Sequence, residues 1–280
     1  MKRFAVTVVS PPGYVHSAAF HEVAESLHYA LLELGHDCVL TTQGNLEGRQ
    51  HIVLGANLLP SHPMALSEGA ILYNLEQVDD GSRWFPPRLI SVFQRHTVWD
   101  YSPRNAAALR ARGVNVAHVV PIGYTHELTR IAPAGERDID VLFYGGLNPR
   151  RQLIIDAMRA SGLEVVTATG VYGEQRDSLI ARAKVVLNVH FYEAKVLEMV
   201  RITYLLANRC TVLSETSADP EEDSSLAGCV AFADYGNLVE EAGRLVRDEA
   251  LRHQLAEQGY KSIVARPMAG YVQQALLSTP

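Results

Sequence analysis

At 280 residues the chain is long enough for one large domain or two modest ones. Its composition, 48% hydrophobic and 20% charged, is that of an ordinary globular protein. A net charge of -6 argues against a surface that coats nucleic acid, because phosphate binding wants a basic face, and leaves room for a local basic pocket. No apolar run approaches the roughly 18 residues of a membrane span, which leaves peripheral membrane contact open.

The N-terminus has a basic start but neither the length nor the small-residue cleavage site of a secretory leader. Residues 4–9 read instead as a first strand, closed by the breaker loop Ser10-Pro11-Pro12-Gly13. Phe20, Val23, Leu27, Ala30, Leu31 and Leu34 recur at three- and four-residue steps, one face of an amphipathic helix. Gly35 stands at its C-cap, and residues 38–41 follow as a second strand. Short strands are expected at 52–54, 70–73, 97–99 and 116–120, with helices at 89–94 and 103–112; Pro103 suits a first helical position.

From 123 to 138 the periodicity lapses into a Pro- and Gly-bearing charged stretch, the candidate linker. A second alternating series then runs through strands at 139–144, 164–167, 185–187, 211–213 and 229–232. Helices are expected at 153–160, 174–183, 238–247 and 249–258, with a further helical segment carrying Glu198 and Arg201. The predicted fold is α/β, two Rossmann-like domains facing across a cleft. Their expected extents are 1–125 and 137–265, with 266–280 packing back on the first.

Three cysteines, Cys38, Cys210 and Cys229, show no paired metal spacing and read as reduced thiols of a cytoplasmic protein. The eleven histidines form no H-E-x-x-H pair, so no metal site is expected. Neither a dinucleotide G-x-G-x-x-G nor a P-loop is present.

The chemistry gathers at predicted strand ends. Gly145-Gly146 follows the strand at 139–144, with Arg150 and Arg151 just beyond. Glycines admit a phosphate to backbone amides, a helix N-terminus favours an anion, and arginine matches phosphate oxygens; a tight turn before a solvated helix is the plainer alternative. After the strand at 185–187 come Asn188, His190, Tyr192, Glu193 and Lys195, and then Glu198 and Arg201, three apart and so on one helix face. Either these two form an exposed ion pair, or their apolar surroundings bury them, and buried charges mark sites. Glu215 ends the next strand and opens a loop at 216–223 expected to be solvated. In the first half, His16 and Glu76 follow strands and are candidate bases. Asp100 precedes Ser-Pro and either faces the site or caps a helix.

The segment LNVHFYEAKVLEMVRITYLLANRCTVLSE, with YNLEQ (73–77), VWDYSPRN (98–105) and VPIGY (120–124), resembles bacterial glycosyltransferases of the GT-B fold, in the glycan and polysaccharide biosynthesis branch. The resemblance implies a metal-independent transfer of sugar from a nucleotide-sugar donor, such as a UDP- or GDP-sugar, to a glycan or other acceptor, with no cofactor. The donor would lie on the second domain. Gly145, Gly146, Arg150 and Arg151 match the phosphate-side turn, and Glu198, Arg201 and Glu215 match the polar positions around the donor. Asn188, His190 and Lys195 complete the expected donor set. Many retaining members carry two glutamates eight positions apart; Lys195 and Thr203 stand at those places here, which leaves the stereochemistry undecided. A non-catalytic nucleotide or sugar binder and a nucleotide-sugar epimerase are the competing readings.

Overall fold

The computed structural model describes residues 1–78, 81–82 and 85–277. The chain divides into unit 1, Met1–Leu128 with Arg266–Pro280, and unit 2, Thr129–Ala265. Among the described residues each unit carries one parallel sheet.

Unit 1 runs β1 (Arg3–Val8), α1 (His21–Glu33), β2 (Asp37–Thr41), β3 (Gln50–Leu54), β4 (Ile71–Asn74), α2 (Pro87–Phe93), β5 (Thr97–Asp100), α3 (Pro103–Ala111) and β6 (Val116–Val119). The sheet order is β2-β1-β3-β4-β5-β6, with Val6 opposite both Leu40 and Ile52. Its central strands read as unbroken apolar runs because helices cover both faces of a parallel sheet. Val53, Leu72 and Val98 pack there against Leu89, Phe93 and Leu109. Ser102 caps α3 by accepting from the Asn105 amide, and Pro103 takes the first helical position, as its ring prefers.

Unit 2 runs β7 (Ile139–Tyr144), α4 (Pro149–Ala160), β8 (Val165–Ala168), α5 (Gly173–Arg182), β9 (Ala183–Asn188), α6 (Met199–Ala207), β10 (Val212–Glu215), α7 (Pro220–Ser225), β11 (Ala231–Ala233), α8 (Leu238–Arg247) and α9 (Glu249–Val264). Its sheet order is β11-β10-β9-β7-β8. Val141, Val185, Leu187 and Leu213 of the sheet pack on Ile155, Met158, Leu238 and Leu245. The adjacent carboxyl ends of β7, β9 and β10 therefore stand side by side, and this is what positions the site.

Two local expectations are corrected. Glu198 is not inside a helix: it is the N-cap of α6, and Val196 and Leu197 before it are buried by tertiary packing without helical backbone. The segment 216–223 is not simply a solvated loop. Asp219 accepts from the Glu221 and Glu222 amides and, with Pro220 next, starts α7.

After α9 the chain returns to unit 1 as α10 (Met268–Leu277), which packs on α1. The Tyr124 amide donates to the Arg266 carbonyl at 2.9 Å, and the Met268 amide to the Tyr124 carbonyl at 2.9 Å. A Cβ on Gly123 would fall 2.7 Å from the Met268 Cα and 2.9 Å from the Arg266 carbonyl oxygen, both backbone. Gly123→Ala should therefore cost about 1–3 kcal/mol, the usual penalty of overpacking, read as a lower urea midpoint. An unchanged midpoint would show that the return segment yields freely.

Candidate functional site

The site is built from the carboxyl ends of three neighbouring strands of unit 2. β7 delivers Tyr144 to a turn in which Gly145 takes φ 133°, a conformation that side chains resist. A Cβ there would also sit 2.9 Å from Arg201 Nη2. Asn148 then accepts from the Arg151 amide at 2.9 Å and caps α4, placing Arg150 and Arg151 in its first turn. The Asn148 side-chain amide also donates to the Phe191 carbonyl at 3.0 Å, tying this turn to the chain after β9.

Adjacent in sequence, the two arginines go to different places. Arg150 forks onto Glu215: Nη1 donates to Oε2 at 2.7 Å and Nη2 to Oε1. Its guanidinium lies 4.0 Å from the Tyr235 ring centroid, a cation–π contact. Arg151 is buried, donating from Nε to the Val189 carbonyl and from Nη1 to the Gly146 carbonyl, each at 2.8 Å. Burial first, and the Arg201 charge second, lower its pKa to about 10. Arg151 thus fastens the turn and contributes field, whereas Arg150 presents a face that stays about a third exposed.

Glu215, the last residue of β10, is fully buried. Besides Arg150 it holds Lys195 Nζ at 3.0 Å and accepts from the His190 amide at 3.2 Å. Burial works to raise its pKa, but Arg150 and Lys195 outweigh that and hold the carboxyl below its ordinary range. With both oxygens occupied, it orients cations. Lys195 has φ 45°, a left-handed conformation uncommon outside glycine, and such backbone gathers at functional sites.

Asn188 at the end of β9 is the second hub. Its amide donates to Glu198 Oε2 at 2.9 Å and to Ser214 Oγ at 3.0 Å, and its oxygen accepts from Arg201 Nη1 at 2.8 Å. Arg201 Nη2 donates to the Tyr144 carbonyl at 2.9 Å, and the guanidinium stands 4.8 Å from the Tyr144 ring centroid. Fully buried His190 sets Nδ1 3.0 Å from Glu198 Oε2, an ion-pair contact and not an aligned hydrogen bond. Burial alone would lower the imidazole, yet Glu198 reverses this and raises it. Burial likewise opposes ionisation of Glu198, and His190, then Arg201 and Asn188, bring it down to about 2.

Four fixed cations (Arg150, Arg151, Lys195, Arg201) here meet two carboxylates (Glu198, Glu215). The excess is two positive charges, three with His190 protonated. Among the described residues, His190 Nε2, Arg201 Nε and Glu198 Oε1 are buried without a hydrogen-bond partner. Native interiors satisfy such atoms with protein groups, water or a bound polar ligand.

The structure thus brings together Gly145, Gly146, Arg150, Arg151, Asn188, His190, Lys195, Glu198, Arg201 and Glu215. Thr203, by contrast, is buried on α6 with an unpartnered hydroxyl. In unit 1, His16 is exposed on a short 3-10 turn, with its ring 5.3 Å from that of Tyr14. Glu76 is half-buried on the loop after β4, and desolvation pushes its carboxyl up to about 7. The sequence reading missed Phe143 and Phe191, whose ring centroids stand 5.2 Å and 5.1 Å from the Arg151 guanidinium, and Ser214 and Tyr235. Asn148-Pro149 was a readable capping signal; the aromatics carried none.

No family model matches the chain. Uncharacterized protein L140 of Acanthamoeba polyphaga mimivirus is 29% identical over 180 residues, 61% of this chain and 57% of that protein. The chain therefore spans little more than half of that curated relative. Among solved structures, Anabaena Alr3699/HepE in complex with UDP-glucose superposes with TM-score 0.62 at 13% identity, covering 99% of each chain. Sucrose-phosphate synthase of Thermosynechococcus elongatus gives 0.60 at 13% identity, covering 99% of this chain and 98% of that one. The two parallel sheets, of six and five strands with their helices, have the fold of the GT-B glycosyltransferases.

Proposed function

We propose that the chain transfers a sugar from a nucleotide-sugar donor to a hydroxyl-bearing acceptor, binding the donor diphosphate on unit 2 without a metal. The observation that carries this is the cationic excess at the ends of β7, β9 and β10, together with its unpartnered buried atoms. Glycosyl transfer passes through an oxocarbenium-like sugar while the diphosphate leaves with the bonding electrons. Fixed cations aimed at the leaving oxygens stabilise that developing charge, as a divalent metal otherwise would. Arg150, Lys195 and Arg201 take this role, and the Gly145-Gly146 turn leaves room for the phosphates. His190 Nε2 and Glu198 Oε1 bind sugar or ribose hydroxyls. In complex with UDP-glucose, Alr3699/HepE shares the fold, which favours a nucleotide-sugar over other anions.

The test is a thermal-shift and turnover panel of UDP, GDP, CMP, dTDP and their sugars, with and without EDTA. At 100-fold over Kd, the matching nucleotide should stabilise the protein by about 2.7 kcal/mol. Nucleoside diphosphate release should rise on adding an acceptor and resist EDTA. Stabilisation without turnover would identify a binder, and stabilisation by none would sink the proposal.

A further inference from the structure

Unit 2 also holds a cavity at the amino ends of its strands. It lies among the segment before β7, the end of α5, the turn from α6 to β10 and the first turns of α9, with a volume of about 430 Å³. Every residue on its wall belongs to unit 2. Ala183 at the start of β9 is one of them, whereas Asn188 at the end of that strand is the hub of the cluster described above. Five strand steps separate the two, about 16 Å at the usual rise. No residue of that cluster lines the cavity.

The wall carries three arginines, two glutamates and one histidine. Arg209 Nε holds Glu257 at 3.0 Å, and its guanidinium stands 3.5 Å from the Tyr260 ring centroid, so this arginine is already engaged. Arg137 and Arg252 remain, with Glu249 the remaining acid. Arg137 makes no hydrogen bond or ion pair with any described residue, and its charge is felt at the Cys210 thiol on the same wall. Arg252 is 9% exposed. Its Nη1 donates to the Leu245 and Val246 carbonyls at 2.8 Å and 2.6 Å, a clasp on the end of α8, while Nε and Nη2 have no partner among the described residues. Asp140 feels the Arg252 charge but is itself held by Lys184 Nζ at 2.7 Å. A nearly buried guanidinium without a carboxylate on it is costly unless an anion meets it. The wall is also fixed in advance. Thr211 Oγ1 donates to the Arg252 carbonyl at 3.1 Å, and Asn208 Oδ1 accepts the Arg130 and Ile131 amides at 2.8 Å each.

We propose that this cavity binds a compact phosphate monoester, its phosphate held by Arg137 and Arg252 and its sugar- or nucleoside-sized body set against Ile131, Ile180 and Ala256. Two guanidiniums from different elements can each fork onto a phosphate, whose three terminal oxygens exceed the two of a carboxylate. The volume falls within the range of small-ligand sites. This site goes beyond the donor reading and does not depend on it.

Calorimetry and thermal shift on the full chain test this with ribose 5-phosphate and AMP, against neutral ribose and adenosine and against citrate. At least one ester should bind and raise Tm, and its neutral parent should not. Arg137→Ala removes a side chain that bonds no described residue, so the urea midpoint should hold. The same variant should weaken the ester by roughly 10-fold or more, the scale of one charged hydrogen bond. Arg137→Lys should recover part of that affinity, because it keeps the charge and loses the fork. Lys195→Ala, in the cluster at the carboxyl ends, should leave the ester Kd unchanged. Binding of no ester, an unchanged Kd in Arg137→Ala, or citrate bound more tightly than either ester overturns the proposal. A Lys195→Ala loss as large as that of Arg137→Ala would assign the ester to the other cluster and overturn it as well.

Discussion

Glu215→Gln should be among the most damaging single substitutions in unit 2, lowering both stability and nucleotide affinity. The wild-type carboxylate is wholly inaccessible and neutralises Arg150 and Lys195 at once while accepting the His190 amide. Removing one partner of a buried ion pair costs about 3–5 kcal/mol, because the other charges stay behind. Arg150 and Lys195 are 33% and 37% exposed, so water recovers part of that loss. An unfolding penalty of about 2–3 kcal/mol is expected. The effect on binding has two opposed parts. Loss of a negative charge adds about 1 kcal/mol of attraction for an anion through solvent. Loss of orientation in Arg150 and Lys195, the two donors proposed for the phosphates, costs about 1.5–3 kcal/mol for each charged hydrogen bond. Orientation wins, and the nucleoside diphosphate should bind at least 10-fold more weakly by calorimetry. Unchanged stability in urea, or tighter binding, would mean that Glu215 does not organise these cations.

The contrast between Arg150 and Arg151 shows what could be read from the sequence and what could not. Both stand beside Gly145-Gly146, and the strand-turn-helix pattern placed them near a phosphate-sized turn. Their fates depend on partners 38 to 65 residues away, the Val189 carbonyl for one and Glu215 for the other. No local periodicity carries that information. The strands were legible because apolar runs bounded by Gly and Pro have few other uses. The start of α6 was not, because Val196 and Leu197 extend its apolar pattern while packing as irregular chain. The short helix α7 was missed in a polar segment although Asp219-Pro220 carried the start signal. Asn188 was expected in the donor set, but without a partner assigned to it. Its place as the hub between Glu198 and Arg201 follows from the strand register, which sets it opposite Ser214.

The pair His190–Glu198 should give unit 2 a distinctive dependence of stability on pH. Glu198 titrates at about 2 in the fold, against 4.5 ordinarily. A depressed acid contributes stability that is complete above about 4.5 and lost as pH falls toward 2. His190 is raised above 6.5, so its contribution is complete below 6.5 and lost as pH rises through the folded value. Both contributions are full only between about 4.5 and 6.5. Other groups titrate in the same range, so the measurement is a difference between wild type and variant; Glu222, at about 7, is raised in part by Glu198 and contributes to that difference with the same sign. Glu198→Gln removes the main influence that raises His190; burial, the largest single influence on it, and Lys195 then outweigh the lesser pull of Glu215 and lower the imidazole below 6.5. The sign then reverses: the histidine must fold neutral, and its contribution to stability falls as pH drops through 6.5. Urea unfolding from pH 4.5 to 8.5 should therefore show wild type minus Glu198→Gln largest near pH 5 and shrinking toward pH 8. In a His190→Gln background the same substitution should show a smaller dependence on pH, the remainder coming from Glu222, which Glu198 helps to raise. A difference that grows with pH would place the proton elsewhere and remove His190 from the cationic side of the site.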